Sequence, residues 1–344
     1  MIKKPRVITI YGVDCLRGWS IFAFVFGLSA LVLSIISLVH SNGTSAPASG
    51  TEPQGDLYGF YWRNPYDQQD LTALATQYAP YTGALVGRTE YALGFGRGRG
   101  VQNIQTRGPL PRTVYALVDP SFMLSNTERQ VLASNLDTGV STYTLLNYTI
   151  PAPTVGTGTP KALLWDYKRS RHLLAGAYGF ASGDRTTIWV HDPSNTTSVT
   201  PILNDFGSAE PSTNSINAAE VIDDTAVLVQ STGGTYRFSF LNATGGEFIS
   251  STPYTVTFTP EPYWAFRATY VTEARIIRSM TYDVSKNELH ILFVAAQGST
   301  TRVWGYVTAD NSTALISDLM SGTVNLRLYD GLPVDYLNDI AFIY

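Results

Sequence analysis

The sequence predicts an all-β domain, most simply a β-propeller, carried behind one transmembrane helix. Three observations predict it. From residue 57 on, β-branched and aromatic runs of five to eight residues are cut by Gly, Asn, Asp and Pro, with no long amphipathic helical pattern. A strand–turn–strand pattern recurs four times, and the two ends of the domain look like missing halves of one another.

The 344-residue chain starts with a tail, residues 1–17, in which Lys3, Lys4, Arg6 and Arg17 face one acid, Asp14. Gly18 to Val39 follows as 22 residues without a charge. A helix of that length covers roughly 33 Å, enough to span a bilayer, and exceeds the apolar core of about 7–15 residues in a cleaved signal peptide. The segment after it, HSNGTSAPASG, has no Lys or Arg. The positive-inside rule therefore keeps the N-terminus cytosolic and puts the C-terminal bulk on the extracellular, lumenal or virion-surface side. Within the span Ser20, Ala23, Gly27, Ala30, Ser34 and Ser37 make a small-residue stripe, a surface for homo-oligomerisation in the membrane. Cys15, next to the span, is a lipidation candidate; an unmodified thiol is the other reading. Residues 40–56 are Ser, Thr, Pro, Gly and Ala with little apolar bulk, a flexible stalk.

The exported part, 57–344 with its stalk, holds 19 basic and 26 acidic residues. A net charge of about −7 excludes nucleic acid and anionic lipid as partners, leaving glycans, proteins or small molecules. Cys15 is the only cysteine, so the exported domain has no disulfide. A domain of this size can bury a core that needs no staple.

In each copy of the repeat an apolar strand closes on Asp, and two more strands follow, the last bearing aromatics. The copies are YALVD/QVLAS/STYTLLN, LLWD/HLLAGA/TTIWVHD, AEVIDD/AVLVQ/TYRFSFLN and MTYD/LHILFVAA/TRVWGYV. Between Asp119, Asp166, Asp223 and Asp283 the periods are 47, 57 and 60 residues, the length of a four-stranded propeller blade. The closing LNDIAFIY resembles a first strand with nothing after it, while GALVGR, TEYALGF and GVQNIQ resemble strands lacking a first partner. Joining them gives a composite closing blade and five blades in total. Six blades, recruiting residues 57–80, and a β-sandwich are the alternatives.

Among the Asn-x-Ser/Thr sequons, Asn147, Asn195, Asn242 and Asn311 each follow the third-strand aromatic (Tyr143, Trp189, Phe238, Trp304) by four to seven residues; a fifth, Asn42, lies in the stalk. That spacing predicts glycan acceptors on one turn of successive blades, although Asn and Thr are also ordinary turn residues. No HExxH, Cys/His cluster, P-loop or GxSxG occurs, so no metal and no cofactor is expected. Arg97 and Arg99, in GFGRGRG, lie in a basic stretch suited to a carboxylate-bearing partner or to a solvated loop tip. LYGFYWRNPYD (57–67) and EPYWAFR interrupt the repeat. In the second, Trp264 beside Glu261 and Arg267 combines a ring face with charges, as a sugar site does; packing of a loop is the plainer reading.

SGDRTTIW, Ser182 to Trp189, resembles a degenerate Asp-box, the strand–turn motif of sialidases and other propellers. It keeps Ser182, Asp184 and Trp189 but lacks the glycine at Thr186 and the threonine at Ile188. That resemblance implies blades, not catalysis. The order of tail, signal anchor, stalk and propeller head resembles the type II attachment glycoproteins of enveloped viruses, apart from the missing exported cysteines. It implies a surface protein that binds a glycan or protein receptor. A membrane-anchored glycosidase drawing on Asp223, Asp224, Glu261 or Glu273, and a purely structural envelope or cell-surface protein, are the other two readings.

Overall fold

The computed structural model describes residues 55–62, 73–93, 104–107, 113–118, 129–136, 138, 141–148, 159–169, 171–180, 183–191, 198–203, 216–232, 234–250, 252–261, 276–294, 301–330, 334–335 and 337–343. They belong to one compact unit, Glu52–Tyr344. Gly18 to Val39, Cys15 and residues 40–54 of the stalk lie outside them, whereas Asp56, expected as the last stalk residue, is the first residue of a strand. Among the described residues no helix is long and apolar enough to cross a membrane.

The strands form five antiparallel runs of four. One run is β1 (Asp56–Trp62), β2 (Ala73–Tyr78) and β3 (Leu85–Leu93), completed along β1 by the last strand of the chain, β21 (Leu337–Ile343). The second is β4 (Ile104–Arg107), β5 (Thr113–Val118), β6 (Arg129–Asn135) and β7 (Ser141–Tyr148). The third is β8 (Thr159–Asp166), β9 (Arg171–Phe180), β10 (Gly183–His191) and β11 (Ser198–Leu203). The fourth is β12 (Ile216–Ile222), β13 (Thr225–Thr232), β14 (Thr235–Asn242) and β15 (Tyr254–Pro260). The fifth is β16 (Ile276–Asp283), β17 (Glu288–Val294), β18 (Thr301–Thr308) and β19 (Thr323–Leu328), with β20 (Val334–Asp335) paired to β18. A helix, α1 (Ser312–Ser321), fills the turn between β18 and β19.

Each first strand lies against the first strand of the next run: β21 on β4, β4 on β8, β8 on β12, β12 on β16, and β16 back on β21. That closed inner ring makes the chain an all-β β-propeller. At the perimeter the tail of one outer strand pairs in parallel with the head of the next, Asn147 opposite Ser198 and Thr257 opposite Thr323. Burial follows the layers. The second strand β17 is buried at every position, whereas the outer strand β19 alternates exposed and buried residues, as a strand with one wet face must.

Apolar layers between runs make the core. The largest joins the fourth and fifth runs through Phe238, Phe258, Phe293 and their neighbours, with Leu315 and Leu319 of α1 packed against it. Phe258 meets Phe293 edge-on at 5.5 Å and Tyr236 at 5.7 Å, so the aromatics of the repeat bind one run to the next.

Three expectations are corrected. YALVD is the second strand of its run: β4, only four residues long, stands inside it, so the first copy of the repeat is offset by one strand from the others. GVQNIQ therefore starts the second run instead of ending the closing one. GALVGR and TEYALGF contribute to one strand, β3, and the aromatic segment from residue 57 supplies β1, paired with β21.

Candidate functional site

The inner strands begin on one face of the ring and end on the other, and the two faces carry different chemistry. Near their starts, four of the five hold one residue more than the strand beside them. Register skips between Pro160 and Ala162, Ile216 and Ala218, Ile277 and Ser279, and Leu337 and Asp339. The extra residues are Lys161, Asn217, Arg278 and Asn338, all four polar. A bulge interrupts the ladder and re-aims a side chain, and bulges recur beside functional sites. Asn217 Oδ1 accepts from the Ser231 N–H at 2.6 Å, whereas Arg278 Nε is buried and makes no hydrogen bond.

Further along, the inner strands face an edge problem, since each has a ladder partner on one side only. Side chains of the preceding inner strand supply what is missing. The Tyr282 N–H donates to Glu220 Oε2 at 3.3 Å, Ile340 N–H to Ser279 Oγ at 3.1 Å, and Phe342 N–H to Thr281 Oγ1 at 3.0 Å. Val221 N–H donates to the other Glu220 oxygen at 2.8 Å, and Asp339 Oδ1 accepts from Ile340 N–H at 2.9 Å and from the Ser279 hydroxyl. The buried carboxylates of the hub thus serve as caps for backbone donors, each of which would cost about 1–3 kcal/mol if left bare.

The face where the inner strands end is knitted by ions. Asp166, wholly buried at the close of β8, accepts from Arg169 and Arg171. Arg169 reaches on to Asp224 Oδ1 at 3.0 Å and Thr244 Oγ1 at 2.5 Å, and Lys168 pairs with Asp223 and Asp224. Hydrogen bonds from Lys168 and then Arg169 hold the Asp224 carboxyl below its usual range. Tyr167 donates to Asp223 at 3.1 Å; burial, then that carboxylate, pushes its phenol upward. Asn242 and Asn311 lie on this face, both exposed. Asn242 Oδ1 accepts from Thr244 N–H at 2.8 Å and Asn311 Oδ1 caps α1 through Ala314 N–H at 2.9 Å.

On the same face, the β16–β17 hairpin gathers a dense polar group. Asp283, directly opposite Glu288 in the ladder, and His290 place one donor atom each within 4.8 Å of the others, all three residues buried. His290 Nδ1 and Tyr329 Oη are 2.6 Å apart; its Nε2 is 3.3 Å from Glu288 Oε2. Tyr81 donates to Glu288 Oε2 at 2.7 Å and accepts from Lys286 Nζ at 2.8 Å. Tyr81 holds a left-handed φ of 65°, unusual for a ring-bearing residue and maintained here by these contacts. Burial first, then Glu288, raises its phenol pKa, and burial raises those of Tyr306 and Tyr329.

Of the residues singled out in the sequence, Glu261 lies at the tail of β15 on the perimeter. Its Oε1 accepts from Arg327 Nε at 2.8 Å and its N–H donates to Leu326 O at 3.0 Å. Trp264, Arg267, Arg97, Arg99 and Asn195 lie outside the described residues. The connections holding these Arg and Trp residues, from β3 to β4 and from β15 to β16, both run from an outer strand to the start of an inner one. Asn147 lies within the outer strand β7, level with Ser198, because Tyr143 belongs to the fourth strand of its run; the expected place on the turn after a third strand is corrected for this sequon. Asp184 and Trp189 fall within the continuous strand β10, so the Asp-box likeness does not extend to a turn at Asp184. The bulge residues and His290 were missed. A polar residue five positions before the closing Asp, as in Lys161/Asp166 and Arg278/Asp283, was the available signal.

No family model matches the chain, and neither does any curated protein. Similar solved structures include a nidogen/laminin complex chain (8% identity, covering 84% of this chain and 98% of that one, TM-score 0.43). A GH43 β-1,3-galactosidase with galactodeoxynojirimycin is similar at 8% identity, covering 81% and 92%, TM-score 0.47. The Dos1 propeller is similar at 10% identity, covering 70% and 63%, TM-score 0.30. Likenesses this distant carry no argument about activity, and the fold rests on the strand order above.

Proposed function

We propose that the chain is a membrane-anchored surface protein whose head, a five-bladed propeller, binds a glycan or protein receptor at the face where the inner strands begin. The observation that carries it is the bulge at one level of four inner strands, each inserting Lys161, Asn217, Arg278 or Asn338. Buried Arg278 Nε, without a hydrogen bond, is a donor suited to a carboxylate or hydroxyl of such a ligand. The Arg97/Arg99 and Trp264/Arg267 connections lead to the starts of inner strands, and two of the three described sequons, Asn242 and Asn311, occupy the other face, while the third, Asn147, lies on the perimeter near the tail of β7. The span Gly18 to Val39 and its basic flank support the anchor.

The test displays the full chain on cells and probes it with glycan and cell-surface-protein arrays. Retention of a partner without turnover, weakened at least about tenfold by Arg278→Ala, is the expected result. Hydrolysis of a bound glycan, or binding indifferent to Arg278→Ala and to Lys161→Ala, would refute the reading.

A further inference from the structure

We propose that Asp283, Glu288 and His290 form a divalent-metal site of the zinc type, on the face opposite the proposed receptor surface. His290 is wholly buried, and its Nδ1 contact with Tyr329 leaves Nε2 turned toward the carboxylates, where it makes no hydrogen bond. A buried ring nitrogen without a hydrogen bond is costly, and a metal ion is the partner that a neutral imidazole of fixed orientation suits best. Asp283 and Glu288 are cross-strand neighbours of like charge, a repulsion that a bound cation would relieve. Lys286 Nζ reaches Asp283 Oδ2 at 4.0 Å and the Tyr81 hydroxyl at 2.8 Å.

Each ligand is oriented by a second residue, as metal ligands are: His290 by Tyr329, Glu288 by Tyr81, and Asp283 by the Ser285 hydroxyl at 2.6 Å. An ion about 2.1 Å from each donor needs donor separations of roughly 3.4–4.2 Å, so binding draws the trio inward by less than about 1 Å. Glu288, with 12% of its side chain exposed, is the way in from solvent. Three protein ligands leave a fourth position for water.

The test titrates the untagged full chain, stripped with chelator, with Co²⁺ and then Zn²⁺. Expected are one equivalent of Co²⁺ with visible ligand-field absorption, its displacement by Zn²⁺, and a rise in Tm with Zn²⁺. Glu288→Gln weakens Co²⁺ binding at least about tenfold, and Lys286→Ala, which removes a competing ammonium, leaves it equal or tighter. Absence of stoichiometric Co²⁺ binding by the stripped wild-type chain overturns the proposal, as does binding that Glu288→Gln leaves unchanged. Circular dichroism checks that the variant is folded; if it is not, Glu288→Asp, which shortens the ligand, takes its place with the same criteria.

Discussion

Phe293 shows what the recurring aromatics do. Fully buried in β17, it meets Phe258 and Tyr236 of the neighbouring run, so its ring belongs to the seam between two runs. Phe293→Ala should cost about 3–5 kcal/mol, measured as a fall in the urea midpoint at unchanged slope. Asp224 acts through charge instead. Its folded-state pKa is lowered, so its stabilisation is fully present above the unfolded value and is lost as pH falls through the folded one. Asp224→Asn should therefore lower the urea midpoint at neutral pH and match the wild type in acid. The carboxylate and Lys168 are both more than a third exposed, so the difference should be small.

At the level of elements, the residue that caps α1 also heads a sequon. Asn311 caps the helix through Oδ1, while a glycan would attach to its amide nitrogen. Asn311→Asp should keep the cap and lose the glycan, whereas Asn311→Ala loses both and costs about 1 kcal/mol. Thermal melts and the mobility shift on deglycosylation separate the two effects. The strands of the third to fifth runs were legible because an apolar run closing on Asp marks each first strand; in Asp166 and Asp283 that carboxylate is buried and accepts turn N–H groups, Arg169 and Ser285. β4 was not legible: IQTR has too few apolar residues to stand out, and losing it shifted the first copy by one strand. α1 was hidden because only Leu315 and Leu319 are buried, an i, i+4 pair too short to show helical periodicity, although Asn311 and Gly322 flank it as cap and stop. The His290 group was invisible for another reason, since Tyr81 and Tyr329 reach it from distant parts of the chain.

For the whole molecule, closure is the decisive property. β21 is both the fifth inner strand and the partner of β1, so truncation after Tyr336 should abolish the single cooperative unfolding transition in calorimetry and leave an aggregating chain. Gly59 allows the approach: a Cβ there would meet Leu337 Cδ1 and Tyr78 Cε2 at 2.7 Å, so Gly59→Ala should lower Tm by wedging the closing run. The register of that run also determines how the molecule bears load. Asp56, where β1 leaves the preceding chain, stands opposite Ile343, almost the last residue. Tension applied through the chain that precedes Asp56 would enter at the clasp of the ring, between β1 and β21. The perimeter overlaps act like hoops and share that tension with neighbouring runs, but they end at β7/β11 and β15/β19 among the described strands. Mechanical failure would then begin as an unlatching at β1, with the ring opening before any single sheet tears.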